Sequence, residues 1–228
     1  MKVAEIFQSI QGEGRLAGVR SVFVRTSGCN LRCVFCDTPY TSWEAEGETL
    51  SVDAIVGRLA HFQARHVVVT GGEPMIAAEI EDLCTALAQS GYHITVETAA
   101  TVFKPVACHL ASLSPKLANS TPRERDGGRF AVLHEEHRWR PEVIKAFMEL
   151  CDYQLKFVID VPADVDDVCR ALDQIKVADP ERVLLMPQGV TKEELSERAG
   201  WLVDLCVKHG FRYCPRVHIE LFGNVRGT

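Results

Sequence analysis

Gly28-Cys29-Asn30-Leu31-Arg32-Cys33-Val34-Phe35-Cys36-Asp37-Thr38 sets three cysteines on one short loop, with three and then two residues between them, and no further cysteine until Cys84. Thiolates are the ligands of iron–sulfur clusters, and a cubane ordinarily takes four. Three thiolates leave one iron open to an exogenous ligand, which makes the cluster a place for chemistry rather than only an electron carrier. Structural zinc closes a tetrahedron with four Cys or His ligands. No second CxxC pair and no nearby His-x-x-x-His completes such a set, so the cluster reading leads.

Outward from this loop, strand and helix signals alternate. Ser21–Thr26, β-branched and alternating, reads as the strand that delivers the loop, after a loosely alternating lead-in from Ala4 to Ile10 and the polar turn Gln11-Gly12-Glu13-Gly14. Ser51 caps a helix over Val52–Ala64. His66–Thr70 reads as a strand buried on both faces and runs directly into Gly71-Gly72-Glu73-Pro74. Further strands are expected at Ile94–Thr98, His109–Leu113, Tyr153–Val158, Arg182–Met186 and Arg212–Cys214. Helices are expected after Pro74, over Pro141–Cys151, over Ala163–Ile175, and from the capping box Thr191-Lys192-Glu193-Glu194 to His209. The segment from Leu117 to Arg140 loses all periodicity and reads as a long mobile surface loop or lid. Its His134-Glu135-Glu136-His137 reads as a solvated charge run rather than a metal pair.

Strands alternating with helices imply parallel pairing and right-handed crossovers. The expectation is one α/β domain over 1–228, a shortened or partial (β/α) barrel of about six parallel strands. In such a barrel the loops after the strands share one face, where active sites are built. The cysteine loop, Gly71-Gly72-Glu73-Pro74, Glu97-Thr98, Ser114-Pro115-Lys116 and Gln188 all fall there. Two glycines let backbone approach a ligand closely, and their carbonyls can accept from an ammonium group beside Glu73.

Nine cysteines in 228 residues is an odd number in a chain too long to need disulfide staples. Cys84, Cys108, Cys151, Cys169, Cys206 and Cys214 sit among apolar neighbours and read as buried thiols. A net charge of −6 speaks against a broad nucleic-acid surface and for a small-molecule substrate. No apolar run is long enough to span a membrane, and the first residues lack a signal-peptide core, so a cytoplasmic location is expected.

The CxxxCxxC spacing, coupled to Gly71-Gly72-Glu73-Pro74, resembles the radical S-adenosylmethionine enzymes. Within them the chain from Glu5-Ile6-Phe7 to Phe222-Gly223-Asn224-Val225-Arg226-Gly227 is similar to the 7-carboxy-7-deazaguanine synthase family. Gln11–Gly14, Val24–Cys29, Cys36-Asp37-Thr38 and Ser114-Pro115-Lys116 carry that likeness. The resemblance implies a radical ring contraction of 6-carboxy-5,6,7,8-tetrahydropterin to 7-carboxy-7-deazaguanine with loss of ammonia, a lyase step in queuosine and other 7-deazapurine synthesis. It implies a 4Fe-4S cluster on Cys29, Cys33 and Cys36, S-adenosylmethionine, Mg²⁺ at Thr38, a flavodoxin-type electron donor and a homodimer.

By the same resemblance, Phe35, Asp37, Gly71, Gly72, Glu73, Ser114, Pro115, Lys116, Met186 and Gln188 would contact S-adenosylmethionine. Ile10, Gln11, Gly12, Glu13, Arg25, Thr70 and Thr228 would contact the pterin. Gln11 and Glu13 offer donors and acceptors for an aminopyrimidinone edge, and Arg25 can take a carboxylate bidentately. The rival from the same superfamily is an activase that makes a glycyl radical on a protein partner, which leaves Gln11, Glu13 and Arg25 unexplained. The rival from another class is an electron-transfer or zinc module.

Overall fold

In the computed structural model, which describes residues 1–177 and 179–228, nine strands form one sheet. They are β1 (Lys2–Ile10), β2 (Arg20–Thr26), β3 (Glu48–Thr49), β4 (His66–Gly71), β5 (His93–Thr98), β6 (Leu110–Leu113), β7 (Asp152–Ile159), β8 (Val183–Pro187) and β9 (Arg212–Tyr213). Their order across the sheet is 3-1-2-4-5-6-7-8-9. Every pairing from β2 to β9 is parallel. The six longer parallel strands match the number expected from the sequence. The edge strands β3 and β9 do not meet, so the barrel stays open.

β1 was legible only as a loose lead-in. It is a full strand, antiparallel to β2 and to β3. The turn from Gln11 to Val19 is too short for a crossover helix, which leaves antiparallel pairing as the available geometry.

The helices are α1 (Pro39–Ser42), α2 (Val52–Leu59), α3 (Ile80–Gln89), α4 (Ala131–His137), α5 (Pro141–Leu150), α6 (Asp164–Ile175), α7 (Lys192–His209) and α8 (Val217–Phe222). Local chemistry sets their ends. The Ser51 side chain accepts from the Ala54 N–H, and Thr191 with Glu194 closes a full capping box, while Gly210 ends α7 in the left-handed region at φ 72°.

Strand alternation divides labour between the two faces of the sheet. One face presents Val22, Val24, Val67, Val69, Ile94, Val96 and Phe157 to Ile55, Leu59, Leu83, Leu87, Ile144 and Phe147 of the helices, all fully buried. The other face carries a polar row. Arg25 lies opposite Thr70, Glu97 opposite Ser112, and Ser112 opposite Gln154, with Lys156 two residues further along β7.

Two expectations fail. The Leu117–Arg140 segment is not a structureless loop: it holds short helical turns at Ala118–Ser120 and Arg125–Gly128 and then α4. Its His134 is only 1% exposed, so the charge run is not wholly solvated. The segment escaped notice because hydrogen bonds anchor it, with no apolar stripe to announce it. Likewise, Cys84, Cys206 and Cys214 are buried as expected, but Cys108, Cys151 and Cys169 are half-buried.

At the opposite end of the sheet from the cysteine loop, buried His66 lies between the Ser21 hydroxyl (2.7 Å) and the Thr95 hydroxyl (2.8 Å). Burial, with His93 and His109 nearby, pushes its imidazole down to about 4. The unfolded chain takes that proton near 6.5, so it binds more protons between these values and stability falls as pH drops from 6.5 towards 4. His66→Gln should remove roughly 2–3 kcal/mol of the difference between pH 7 and pH 4. Denaturant titrations of both proteins at the two pH values measure it; parallel pH dependence would refute the assignment.

Candidate active site

The cysteine loop leaves the C-terminal end of β2 and is held from three sides. Gly28 N–H donates to the Thr41 carbonyl at 2.8 Å, and Trp43 Nε1 donates to the Cys33 carbonyl at 3.1 Å. From the Leu117–Arg140 segment, the Ser120 carbonyl accepts from Val34 N–H at 2.9 Å and His134 Nδ1 accepts from Arg32 N–H at 3.2 Å. His134 Nε2 is therefore the protonated nitrogen, 2.8 Å from Ser120 Oγ. Arg125 donates to the Val34 carbonyl at 3.1 Å and lies over the Trp43 ring. The segment is the outer wall of the loop.

Gly71 and Gly72 form the inner wall. Gly72 N–H donates to the Thr26 carbonyl at 3.2 Å, and Glu73 N–H donates to the Gly28 carbonyl at 2.9 Å. A Cβ on Gly72 would sit 2.2 Å from the Gly28 oxygen and 2.7 Å from the Thr41 oxygen, so only glycine fits between β4 and the root of the loop. Glu73 is placed otherwise than expected. Its carboxylate is fully buried and accepts from Thr98 Oγ1 (2.6 Å), Met75 N–H (3.1 Å) and Ala99 N–H (2.8 Å), so it braces the turn.

A charge network borders the same site and reaches the cysteine loop at Asp37. Arg216, 5% exposed, donates from Nε to Glu13 Oε1 at 2.9 Å, from Nη1 to the Gly189 carbonyl at 2.5 Å, and from Nη2 to Asp37. Lys156 pairs with the other Glu13 oxygen. Burial opposes ionisation of Glu13, but Lys156 and Arg216 outweigh it and hold the carboxyl far below the usual range. Burial also pushes Asp37 up, and Arg216 again outweighs it and keeps the group low. Glu97 accepts from Gln11 Nε2 at 3.1 Å and from Thr70 Oγ1 at 3.0 Å. Arg25 lies 3.1 Å from Glu5 without hydrogen-bond alignment, leaving its buried Nε without an acceptor.

These groups enclose a cavity of about 430 Å³. Every candidate residue named from the sequence lines it except Glu73 and Pro115: the three cysteines, Phe35, Asp37, Thr38, Ile10 to Glu13, Arg25, Thr70 to Gly72, Ser114, Lys116, Met186, Gln188 and Thr228. The donor set suits an iron–sulfur cluster. Burial pushes the Cys29 thiol up to about 12, with repulsion from Cys33 and Cys36 adding to it, and burial pushes Cys33 up to about 11. Thiolates there need a strong cationic partner, which a cluster supplies. Among the described residues no three His, Cys, Asp or Glu side chains converge on one point that could hold a single ion.

The Radical SAM superfamily pattern matches residues 23–119, which contain both the cysteine loop and the glycine motif. The chain is 44% identical over 227 residues to the 7-carboxy-7-deazaguanine synthase of Rhodopirellula baltica, across 99% of this chain and 88% of that protein. It is 43% identical to the 7-carboxy-7-deazaguanine synthase of Halobacterium salinarum, across 100% of this chain and 93% of that one. The chain belongs to the 7-carboxy-7-deazaguanine synthase family. In fold it is similar to QueE from Escherichia coli, with a TM-score of 0.71 at 23% identity over 95% of this chain and 94% of that chain. As a radical S-adenosylmethionine enzyme of this family, it works with a 4Fe-4S cluster and S-adenosylmethionine.

Glu97, which the sequence puts on this face without a role, lines the cavity, and so do Lys156, Arg216 and His218, which the sequence does not single out. Gln154 and Lys156 did carry a signal, since two polar residues at a spacing of two in an otherwise apolar strand mark an inward face. Arg216 and His218 follow the last short strand and carry none. Replacing Arg216 with Leu leaves Glu13 with Lys156 as its cationic partner and removes the pairing of the partly exposed Asp37; a loss of about 1–3 kcal/mol in stability is expected, together with a loss of product formation. Denaturant unfolding and turnover of Arg216→Leu check this, and Arg216→Lys should recover only part of each because it cannot serve all three acceptors.

Proposed function

We propose that the cavity converts 6-carboxy-5,6,7,8-tetrahydropterin to 7-carboxy-7-deazaguanine with release of ammonia. The observation that carries this reading is one cavity lined both by the three cysteines and by Glu13, a carboxylate held ionised by Lys156 and Arg216. The reduced cluster and S-adenosylmethionine together supply a 5′-deoxyadenosyl radical able to remove a hydrogen from the substrate ring.

This chain's own residues bind and orient. Phe35, Asp37, Gly71, Gly72, Ser114, Lys116, Met186 and Gln188 line the cavity with the cysteines and would hold the S-adenosylmethionine; Lys116 donates to Ser114 Oγ at 2.8 Å. Glu13 and Glu97 accept from the N–H groups of the aminopyrimidinone edge. Arg25, whose Nε lacks an acceptor, takes the substrate carboxylate. The Gln11 amide is engaged with Glu97 and with the Glu13 N–H at 3.2 Å, so it orients those two groups. Thr38 offers a hydroxyl for Mg²⁺, which often takes few protein ligands beside substrate oxygens and water. Thr228 closes the cavity mouth.

The remaining elements of this reading are a single domain carrying the whole activity, a homodimer in the cytoplasm, and a flavodoxin-type donor. Val34 at the tip of the cysteine loop is 40% exposed, which brings the loop within reach of an external electron carrier. No helix among the described residues is long and apolar enough to cross a membrane.

Anaerobically reconstituted protein given S-adenosylmethionine, a one-electron reductant and the carboxytetrahydropterin should yield the deazaguanine acid. Cys33→Ala should lose both the brown cluster absorbance and turnover. Arg25→Met should raise KM by roughly 10–100-fold with a smaller effect on kcat, the worth of a charge-assisted contact to a carboxylate. A protein that cleaves S-adenosylmethionine but leaves the pterin unchanged refutes the assignment. Removal of Mg²⁺ should depress turnover, and Thr38→Ala should blunt the response to added Mg²⁺; insensitivity of the unaltered enzyme to rigorous metal removal would overturn the role given to Thr38.

A further inference from the structure

Cys108 and Cys151 stand apart from the cavity. Cys108 precedes β6 and Cys151 precedes β7, and these strands pair from Leu110 opposite Asp152 onward. Register therefore brings the two cysteines together at the N-terminal edge of the sheet, the end away from the cluster loop. Their sulfurs are 2.7 Å apart, inside the roughly 3.5–4.0 Å of an ordinary nonbonded contact. Both side chains are half-buried, whereas neighbouring Cys84 is fully buried.

We propose that Cys108 and Cys151 are a redox modification site, a dithiol that closes reversibly to a disulfide when the thiol pool becomes oxidised. The two sulfurs share one hydrogen bond in which either can donate, and the Ala111 N–H additionally favours a thiolate at Cys151. Cys151 is the attacking thiolate. It displaces one thiolate from a small-molecule disulfide and forms a mixed disulfide. Cys108 gives up its proton to that leaving thiolate and attacks the Cys151 sulfur, expelling the second thiol. Two protein thiols are oxidised, and one small disulfide is reduced to two thiols.

The bond joins residues 43 positions apart and leaves the active-site face untouched. Closing a loop of that length restricts the unfolded chain, which for a protein of this size corresponds to a rise in Tm of about 5–15 °C.

The test equilibrates the anaerobic holoenzyme in buffers of graded glutathione to glutathione-disulfide ratio, blocks free thiols by alkylation, and maps peptides by tandem mass spectrometry. The expected result is a Cys108–Cys151 linked peptide lacking two hydrogens, reversed by dithiothreitol, with Tm raised in step with its abundance. Cys151→Ser should abolish both the link and the Tm shift while keeping the Tm of the reduced protein. Complete alkylation of both cysteines across the range, separate glutathione adducts on each, or a link from Cys108 to Cys84 would each overturn the proposal. The mapping on unaltered protein decides the matter even if the variant folds poorly.

Discussion

One buried guanidinium ties this molecule together. Arg216 comes from the C-terminal segment, and its three acceptors belong to the turn after β1, to the cysteine loop and to the segment after β8. Taking such a charge out of water costs several kcal/mol unless every donor finds a partner in good geometry. Glu13, nearly as buried, would be costly on its own as well, and the partly exposed Asp37 less so. The three segments are therefore stable only in one another's presence. The energy involved is a poor source of net stability but a strong source of uniqueness, since a displaced cysteine loop or C-terminal segment would strand a buried charge. Lys156 reinforces the constraint from the sheet itself, because its pairing with Glu13 fixes the turn to β7.

A second layer of restraint bears on the cysteine loop. Backbone groups that a free loop would leave to water are taken up by Thr41, Trp43, Ser120, Arg125 and His134. His134 is buried neutral, with burial pushing its imidazole down to about 4, and its two nitrogens serve one backbone donor and one hydroxyl. The backbone that carries the three cysteines is thus restrained before any iron arrives, which lowers the conformational entropy lost when a cluster binds.

The parts of the fold legible in the sequence were those that follow a period. The β-branched alternation of Ser21–Thr26 and the continuous apolar run of His66–Thr70 announced strands, their alternation with helices announced parallel pairing, and Thr191 with Glu194 announced the start of α7. The cysteine loop was legible because ligand spacing is local. What stayed hidden depends on contacts between distant residues. Nothing near Arg216 in the chain shows that it meets Glu13, 203 positions away. The Leu117–Arg140 segment was misread for the same reason: Ser120, Arg125 and His134 each look like loop residues until the cysteine loop is placed beside them. The partners of Glu73 were equally hidden, because two of them, Thr98 and Ala99, lie across the turn on another strand end.

The openness of the barrel explains why a chain of this length can keep a cavity of about 430 Å³. Eight closed strands would bring enough inward side chains together to fill the interior. Here the inward row is short, and Glu97, Lys156 and their neighbours are drawn towards each other by charge rather than packed by shape. The C-terminal segment packs against the turn after β1: Val217 N–H donates to the Gly12 carbonyl at 2.9 Å, and His218 packs so close to Gly12 that a Cβ there would meet its ring at 2.0 Å. Beyond that anchor the segment from Asn224 to Thr228 also lines the cavity. The segment that brings Arg216 into the charge network therefore supplies lining that further strands would supply in a complete barrel.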